Sequence, residues 1–425
     1  MIRFGDHLTY LYSQFQATLL PSVLDISIFL SLPVLTILLF YIFWPLWVSY
    51  VRGYNFLNLK YTVLEIKLPK ETYKSPAAME LLLHAFHNTA DGGWFKKYWK
   101  GETRPWYSLE LISIEGQVKF FIWTEDMRKI GVMSALYAQF PGIEVTEVED
   151  YAKSMKYDPL TMKVWAAEFE FAKPDPYPIK TYIDYGLDKD PKEEFKVDPL
   201  VPGIEFLGSV GPNQQIWIQF MIRAHKGEQS KPGTLFKETD AWKDAAQKEI
   251  NEIMKRDEKT KVAGDKDKES GRVIPPTLSE HEKMLVESLS RSITKLAFDV
   301  GIRVLYIAKK ESFDTPFGIG GCMSFFKNFN AEHMNSLKSR KKWTATLDEP
   351  WKDFKDIRRN RFAREGIMAY KMRSFFYTPF VEDPPIVMNT EELATMYHFP
   401  GSVSGTPSLE RVPSKKGQAP ANLPV

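Results

Sequence analysis

Residues 108–125 read SLELISIEGQVKFFIWTE, two largely apolar runs on either side of Glu115-Gly116. Such runs about a tight turn predict a β-hairpin. Upstream, Leu64, Ile66 and Leu68 alternate with polar residues, as a strand requires. Ser75-Pro76 then supplies an N-cap followed by proline in the first helical turn, opening a helix whose apolar face is Met79, Leu82, Leu83 and Phe86. Downstream, Thr124 can cap a second helix, with Glu125 and Asp126 favourably placed in its first turn, running to about Phe140. GIEVTEVED (142–150) is a last strand. The order β-α-β-β-α-β predicts a ferredoxin-like α+β domain over 61–150, with two helices on one face of the sheet.

A second α+β unit is expected over 160–311. MKVWAAEFEFA (162–172) reads as a strand and DPLVPGIEFLGSV (198–210) as a helix opened by Asp198 and Pro199. QQIWIQFMIRA (214–224) is apolar at nearly every position, so both faces of that strand are covered. A charged stretch, 226–272, interrupts the unit: a helix near Trp242 to Lys255, then the tip KRDEKTKVAGDKDKESGR, too polar to pack. A helix from Ser279 and the strand GIRVLYIA (301–308) close the unit. Residues 312–380 read as mostly helical and 381–425 as an extended tail punctuated by proline. No tandem sequence repeat stands out, although the two α+β units could be distant structural copies.

The chain has 425 residues, enough for two or three domains, with 44% hydrophobic and 14% aromatic residues to fill their cores. A net charge of +2 sets up no global field for nucleic acid, so any basic surface is local. The single cysteine, Cys322, excludes an intrachain disulfide and is expected to be a small buried residue.

Residues 26–51, ISIFLSLPVLTILLFYIFWPLWVSYV, carry no charge. About 20 apolar residues span a bilayer, so a single transmembrane helix is expected there. The run is longer than a signal peptide's and lies further from the N-terminus. Trp44, Trp47, Tyr50 and Arg52 form the expected membrane anchor at its C-terminal end. Arg52, Lys60, Lys67 and Lys70 follow the span, while Arg3 alone precedes it. The bias places residues 1–25 outside and the C-terminal bulk in the cytoplasm. Leu8, Leu11, Tyr12, Phe15 and Leu19 recur at helical spacing, consistent with a short helix on the membrane surface.

No P-loop is present, and FGIGGCM (317–323) lacks the lysine that would reach a phosphate. His84 and His87 stand three apart on a helix, but no third ligand flanks them, so no metal site is expected. No nucleophile constellation is evident. Two basic stretches remain. GWFKKYWKGETRPWY (93–107) interleaves aromatics with Lys96, Lys97, Lys100 and Arg104. It could stack bases beside phosphates, rest on anionic lipid, or plug the ferredoxin-like core with its tryptophans; the core reading is favoured. Lys338, Arg340, Lys341, Lys342, Arg358, Arg359, Arg361 and Arg364 form the densest positive region, read either as phosphate contacts or as a solvated face.

DPLVPGIEFLGSVGPNQQIWIQFMIRA, the long charged insertion and GIRVLYIA together resemble the region upstream of the motor in bacterial type IV secretion and conjugative-transfer ATPases of the TraG/HerA-like kind. TEELATMYHFPG (390–401) and PSKKGQAPANLP (413–424) resemble the joint before the nucleotide-binding domain. The resemblance runs from about Tyr61 to the end of the chain. It implies a membrane-anchored, non-catalytic accessory subunit of a DNA or protein transfer complex, with no cofactor and no catalytic residue. Its partners would be a separately encoded TraG/HerA-like ATPase, further copies of itself in a homo-oligomer, membrane lipids and DNA. Arg411–Val425 would then be a docking arm for the ATPase. A membrane-tethered scaffold of the cell envelope without a motor partner is the alternative class.

Overall fold

The hairpin forms where the sequence predicts it, with Glu115 and Gly116 both at positive φ, 52° and 85°, as a tight two-residue turn demands. The computed structural model describes residues 9–10, 12–13, 20–69, 74–90, 92–188, 197–230, 238–254, 278–340, 351–377, 380, 384–401 and 411–412. The chain divides into two units, Met1–Asn58 with Gly92–Thr103, and Leu59–Asp91 with Arg104–Val425. The helix unit comprises α1 (Leu20–Asn58) and, further along the chain, the short α3 (Trp94–Trp99); α2 (Ala77–Phe86) falls between them in sequence and belongs to the sheet unit. Of the apolar positions expected on an N-terminal surface helix, Leu8, Leu11, Phe15 and Leu19 lie outside the described residues.

The sheet unit is a mixed α+β body around one ten-stranded, largely antiparallel sheet. Its first quartet comes from β1 (Tyr61–Pro69), β2 (Trp106–Ile114), β3 (Gln117–Glu125) and β4 (Glu144–Val148), with α2 after β1 and α4 (Lys129–Gln139) after β3. In space the strands run β4-β1-β3-β2. After the single turn α5 (Tyr151–Ser154), the second quartet takes β5 (Met162–Phe171), then α6 (Val201–Gly208) and β6 (Gln214–Ala224). The charged excursion follows: the hairpin β7 (Glu228–Ser230) and β8 (Glu238–Asp240), α7 (Ala241–Ile253) and α8 (Glu280–Thr294). The chain returns through β9 (Ala297–Lys309), α9 (Gly320–Lys327) and β10 (Leu337–Ser339). These strands run β10-β5-β9-β6, the same order and helix placement as the first quartet.

The quartets are not separate domains. β2 pairs antiparallel with β6, from Trp106 opposite Arg223 to Ile114 opposite Gln215, with Glu110 opposite Gln219 at the centre. Strands second in each quartet therefore meet at the seam, and the sheet continues across it. The boundary expected at residue 311 also moves. β5 needs a partner on its outer edge, and β10 supplies it from a stretch, SLKSRKKW, that sequence placed in a mostly helical region.

One sheet face carries α2, α4, α6 and α9 over an apolar core including Leu82, Leu83, Leu109, Ile122, Ile204, Ile218, Val304 and Phe326. Fully burying each such side chain contributes about 1.5–3 kcal/mol. Residues 384–401 are not an extended tail. Ile386–Asn389 is a strand, β11, paired with β9 beyond the end of β5, and Thr390–Met396 is a helix, α11, laid beside α2. An Asn389–Glu392 capping box starts that helix, and Leu393, Met396, Tyr397 and Phe399 are buried in the same core. Arg411–Val412, labelled β12, lies parallel to β1; residues 413–425 of the expected docking arm lie outside the described residues.

The opposite face is covered by α10 (Ile357–Lys371) and the link after it. Beneath them one register row crosses the sheet: Glu168, Arg303, Gln219, Glu110. Arg303 donates to Glu168 at 2.6 and 3.0 Å. Glu110 accepts from Arg373 at 3.0 and 3.2 Å, from Ser108 at 2.7 Å, from Tyr151 at 2.8 Å and from Gln219 at 3.1 Å. Arg373 also binds Asp150 at 2.6 Å, and these carboxylates hold its guanidinium well above its ordinary pKa despite burial. Of the stretch expected to plug the core, Tyr107 enters it, whereas Trp106 is buried on the opposite face and donates to the Arg373 carbonyl; Trp94 and Trp99 enter neither, and stand 63% and 47% exposed.

Removing Arg373 leaves two carboxylates facing each other without a cation. Arg373→Ala is expected to destabilise the protein by about 3–5 kcal/mol, read by denaturant titration. A second expectation concerns pH. Burial pushes the Glu392 carboxyl up to about 8, against the backbone N–H groups of Asn389 and Ile179 that favour its anion. Burial lowers His398, but its contact with Asp198 outweighs that and raises it. Both groups hold in the folded state a proton the unfolded chain has released. Their stabilisation is complete at low pH and is lost as pH rises, for Glu392 between its ordinary value of 4.5 and about 8. The denaturation midpoint should fall across that interval, and Glu392→Gln should flatten the fall.

Candidate functional site

The basic residues singled out in the sequence separate once folded. Arg340 is buried, with its guanidinium 3.5 Å from Glu170 and 4.0 Å from Glu168 and donating to the Pro384 carbonyl at 3.0 Å. It holds the sheet edge together and offers nothing to a phosphate. Lys338, on β10 just before it, is exposed and lies 3.3 Å from Glu170. Lys341 and Lys342 lie outside the described residues.

The other four sit on α10, which begins where the Asp353 carboxylate accepts from the backbone N–H groups of Arg358 and Arg359 at 2.8 Å. Ala363, Gly366, Ile367 and Tyr370 turn inward against the sheet. The periodicity leaves Arg358, Arg361 and Arg364 exposed on the outer face. Arg359 is half-buried and pairs with Asp356 at 3.0 Å; Arg361 pairs with Glu365 at 2.8 Å. Trp351 and Phe354 are exposed just before this helix, and Ile357 is exposed at its first position. Guanidinium groups beside exposed rings can take a planar or phosphorylated ligand, the rings by stacking and the cations by paired hydrogen bonds. Both β10 and α10 lie against β5, so Lys338 and the helix belong to one end of the sheet.

A groove of about 750 Å³, which the sequence does not announce, opens beside α7 and α8. Lys173, Tyr177, Glu249, His281, Glu332 and His333 line it. The two imidazoles meet edge to face at 5.5 Å, and Tyr177 donates to Glu249 at 2.5 Å. Burial and that carboxylate push the phenol up to about 12. The lining comes from segments up to 160 residues apart, so nothing local in the sequence points to it. His84 and His87 do not act together: His84 is exposed, while His87 is turned to the Ala297 carbonyl at 3.2 Å and the Phe298 ring. Burial lowers the pKa of His87. Cys322 is fully buried, and burial pushes its thiol up, which makes it inert.

In the helix unit, the part of α1 from Ser31 to Asn58 is long and apolar enough to cross a membrane. Trp44 and Trp47 stack on Phe40 and Phe43, Tyr50 lies against Trp47, and Trp47 Nε1 donates to the Tyr98 carbonyl at 3.1 Å. Arg52 follows on the same helix.

A search among curated proteins finds no match to this chain. One family's sequence model, described as a domain of unknown function (DUF8128), matches residues 57–410, from the last turn of α1 to the residue before β12. That match covers the whole ten-stranded body except β12, and on it the chain belongs to the DUF8128 family.

Proposed function

We propose that this protein is a non-catalytic, single-pass membrane subunit that presents a tandem ferredoxin-like body to the cytoplasm and recruits a separately encoded TraG/HerA-like ATPase to a DNA or protein transfer complex. The observation that carries the anchoring is α1, whose uncharged residues 26–51 run into Arg52 and, two residues after the helix ends, into β1. The lysine and arginine bias around it favours a cytoplasmic body. Each quartet, with its βαββαβ order and its two helices on one face, we read as a ferredoxin-like unit. Two such units fused through their second strands make a broad rigid surface. The arginines of α10 and the groove beside α7 and α8 are its two candidate contacts. The motor partner rests on the resemblance of residues 198–224 and 390–401 to the region upstream of transfer ATPases.

The partner is tested by purifying the full-length protein from detergent-solubilised membranes and identifying what accompanies it by mass spectrometry. A TraG/HerA-like ATPase is expected at near-stoichiometric level; envelope proteins without any such ATPase would replace this reading with that of a scaffold. A reporter fused after Val425 should be active only in its cytoplasmic form. If α10 contacts phosphates, replacing Arg358, Arg361 and Arg364 by glutamine should weaken DNA binding and lower the slope of log affinity against log salt by about one unit per lost contact. Unchanged affinity and slope would assign those arginines to a solvated face.

A further inference from the structure

The connection between α2 and β2 carries a segment whose chemistry differs from that of the sheet unit. At about 100° per residue, Trp94, Phe95, Tyr98 and Trp99 fall on one arc of α3, while Lys96, Lys97 and Lys100 fall on the opposite arc. Two ladders of rings run from α3 onto α1. One is Trp94, Tyr98, Trp44, Phe40, with successive centroids 5.9, 5.6 and 5.6 Å apart. The other is Trp99, Trp47, Phe43, at 5.5 and 6.0 Å. Asn55 donates to the Gly101 carbonyl at 3.2 Å. Gly101 has φ +71°, and a Cβ there would stand 2.3 Å from the Val51 carbonyl oxygen, so glycine alone lets this segment touch the α1 backbone. With these contacts made, Trp94 and Phe95 remain 63% and 59% exposed, continuous with the exposed Phe40, Phe43 and Leu46 of α1. Lys96 lies 3.6 Å from Glu102, and Lys97 stands over the Tyr98 ring.

We infer that α3 is an interfacial membrane helix, lying in the plane of the bilayer at the Arg52 end of α1, with Trp94 and Phe95 at the acyl–headgroup boundary and Lys96, Lys97 and Lys100 on the phosphates of anionic lipids. The inference rests on α1 as the membrane span. Whatever covers the apolar flank of α1 also covers the rings that extend it, and for a span that cover is lipid. A nucleic acid would have to reach rings bordering an uncharged helix. The segregation of aromatics from lysines is the pattern of a helix lying in the interface, and tryptophan and tyrosine gather at that depth. Lysines beside a cytoplasmic leaflet gain from its negative surface potential.

The test uses the full-length chain carrying Cys322→Ala, reconstituted in vesicles, with nitroxide labels on single cysteines introduced by Leu38→Cys, Trp94→Cys, Phe95→Cys and Lys97→Cys. Collisions with oxygen, which concentrates in lipid, are compared with collisions with a water-soluble nickel chelate. Labels at 38, 94 and 95 should favour oxygen several-fold, and the label at 97 should favour nickel. Raising phosphatidylglycerol from zero to about 30 mol % should increase the protection at 94 and 95, and glutamine at Lys96, Lys97 and Lys100 should abolish that increase. Nickel access at 94 and 95 with protection at 38 overturns the inference and leaves the span standing. Nickel access at 38 as well removes the span and the inference together. Dipolar broadening between labels at 94, with protection from both reagents, means a second copy covers α3 and overturns it. Equal protection with and without anionic lipid overturns the role given to the lysines.

Discussion

The carboxylate of Glu110, fully buried at the centre of the seam, is the group around which the sheet unit is arranged. A buried carboxylate is tolerated when its lone pairs are filled and a cation stands beside it. The donors come from β2 itself (Ser108), the neighbouring quartet (Gln219), α5 (Tyr151) and the link after α10 (Arg373). Each donor fixes the element that carries it. Arg373 then places α10, and Tyr370 of that helix bonds Tyr151 at 2.7 Å. Under the same cover lies the Arg303–Glu168 pair. A four-stranded unit with helices on one face ordinarily has a second face open to water; here that face holds a line of charges and is roofed along the seam.

Burial, more than composition, decides what the basic residues do. Arg223, Arg303, Arg340 and Arg373 point inward and are matched with Asp299, Glu168, Glu170 and Glu110. Asp299 shows how strong such matching is: burial pushes its carboxyl up, but His225 and Arg223 outweigh burial and hold it below the usual range. Arg358, Arg361 and Arg364 differ only in falling on the outer arc of α10. An arginine count along the chain mixes these two populations, and the fold separates them.

Local patterns carried much of the fold. The Glu115-Gly116 hairpin, α2 with Met79, Leu82, Leu83 and Phe86 inward, the helix near Trp242 and the apolar α1 all follow from periodicity and caps. What the sequence hid was set by distant partners. TEELATMYHFPG is a joint by resemblance and falls in a stretch that its prolines make read as extended, yet Leu393, Met396 and Tyr397 complete a core begun more than 270 residues earlier. SLKSRKKW reads as helix because nothing in it reveals that β5 lacks an edge partner. The tryptophans of residues 93–107 look alike in sequence, but Trp106 enters a strand while Trp94 and Trp99 stay on a six-residue helix. The sequence did signal the seam faintly: Glu110 is the single charge of β2, Arg303 is the single charge of GIRVLYIA (301–308), and each requires a partner.

The seam also governs the order in which the chain can assemble during synthesis. At roughly 5–20 residues per second, Glu110 waits about 5–20 s for Gln219, 109 residues on, and about 13–50 s for Arg373, 263 residues on. Until β6 emerges, β2 is an open strand edge at the border of a quartet already able to form, and neighbouring ribosomes on one message hold identical edges close together. Two copies of β2 could meet in the antiparallel geometry that β6 later adopts. In that arrangement Glu110 would face Glu110, and like charges directly opposite one another repel. β6 presents Gln219 at the same position, an amide that donates to the carboxylate at 3.1 Å. One acidic side chain at the middle of the edge thus discourages pairing between nascent copies and admits the strand encoded downstream in its own chain.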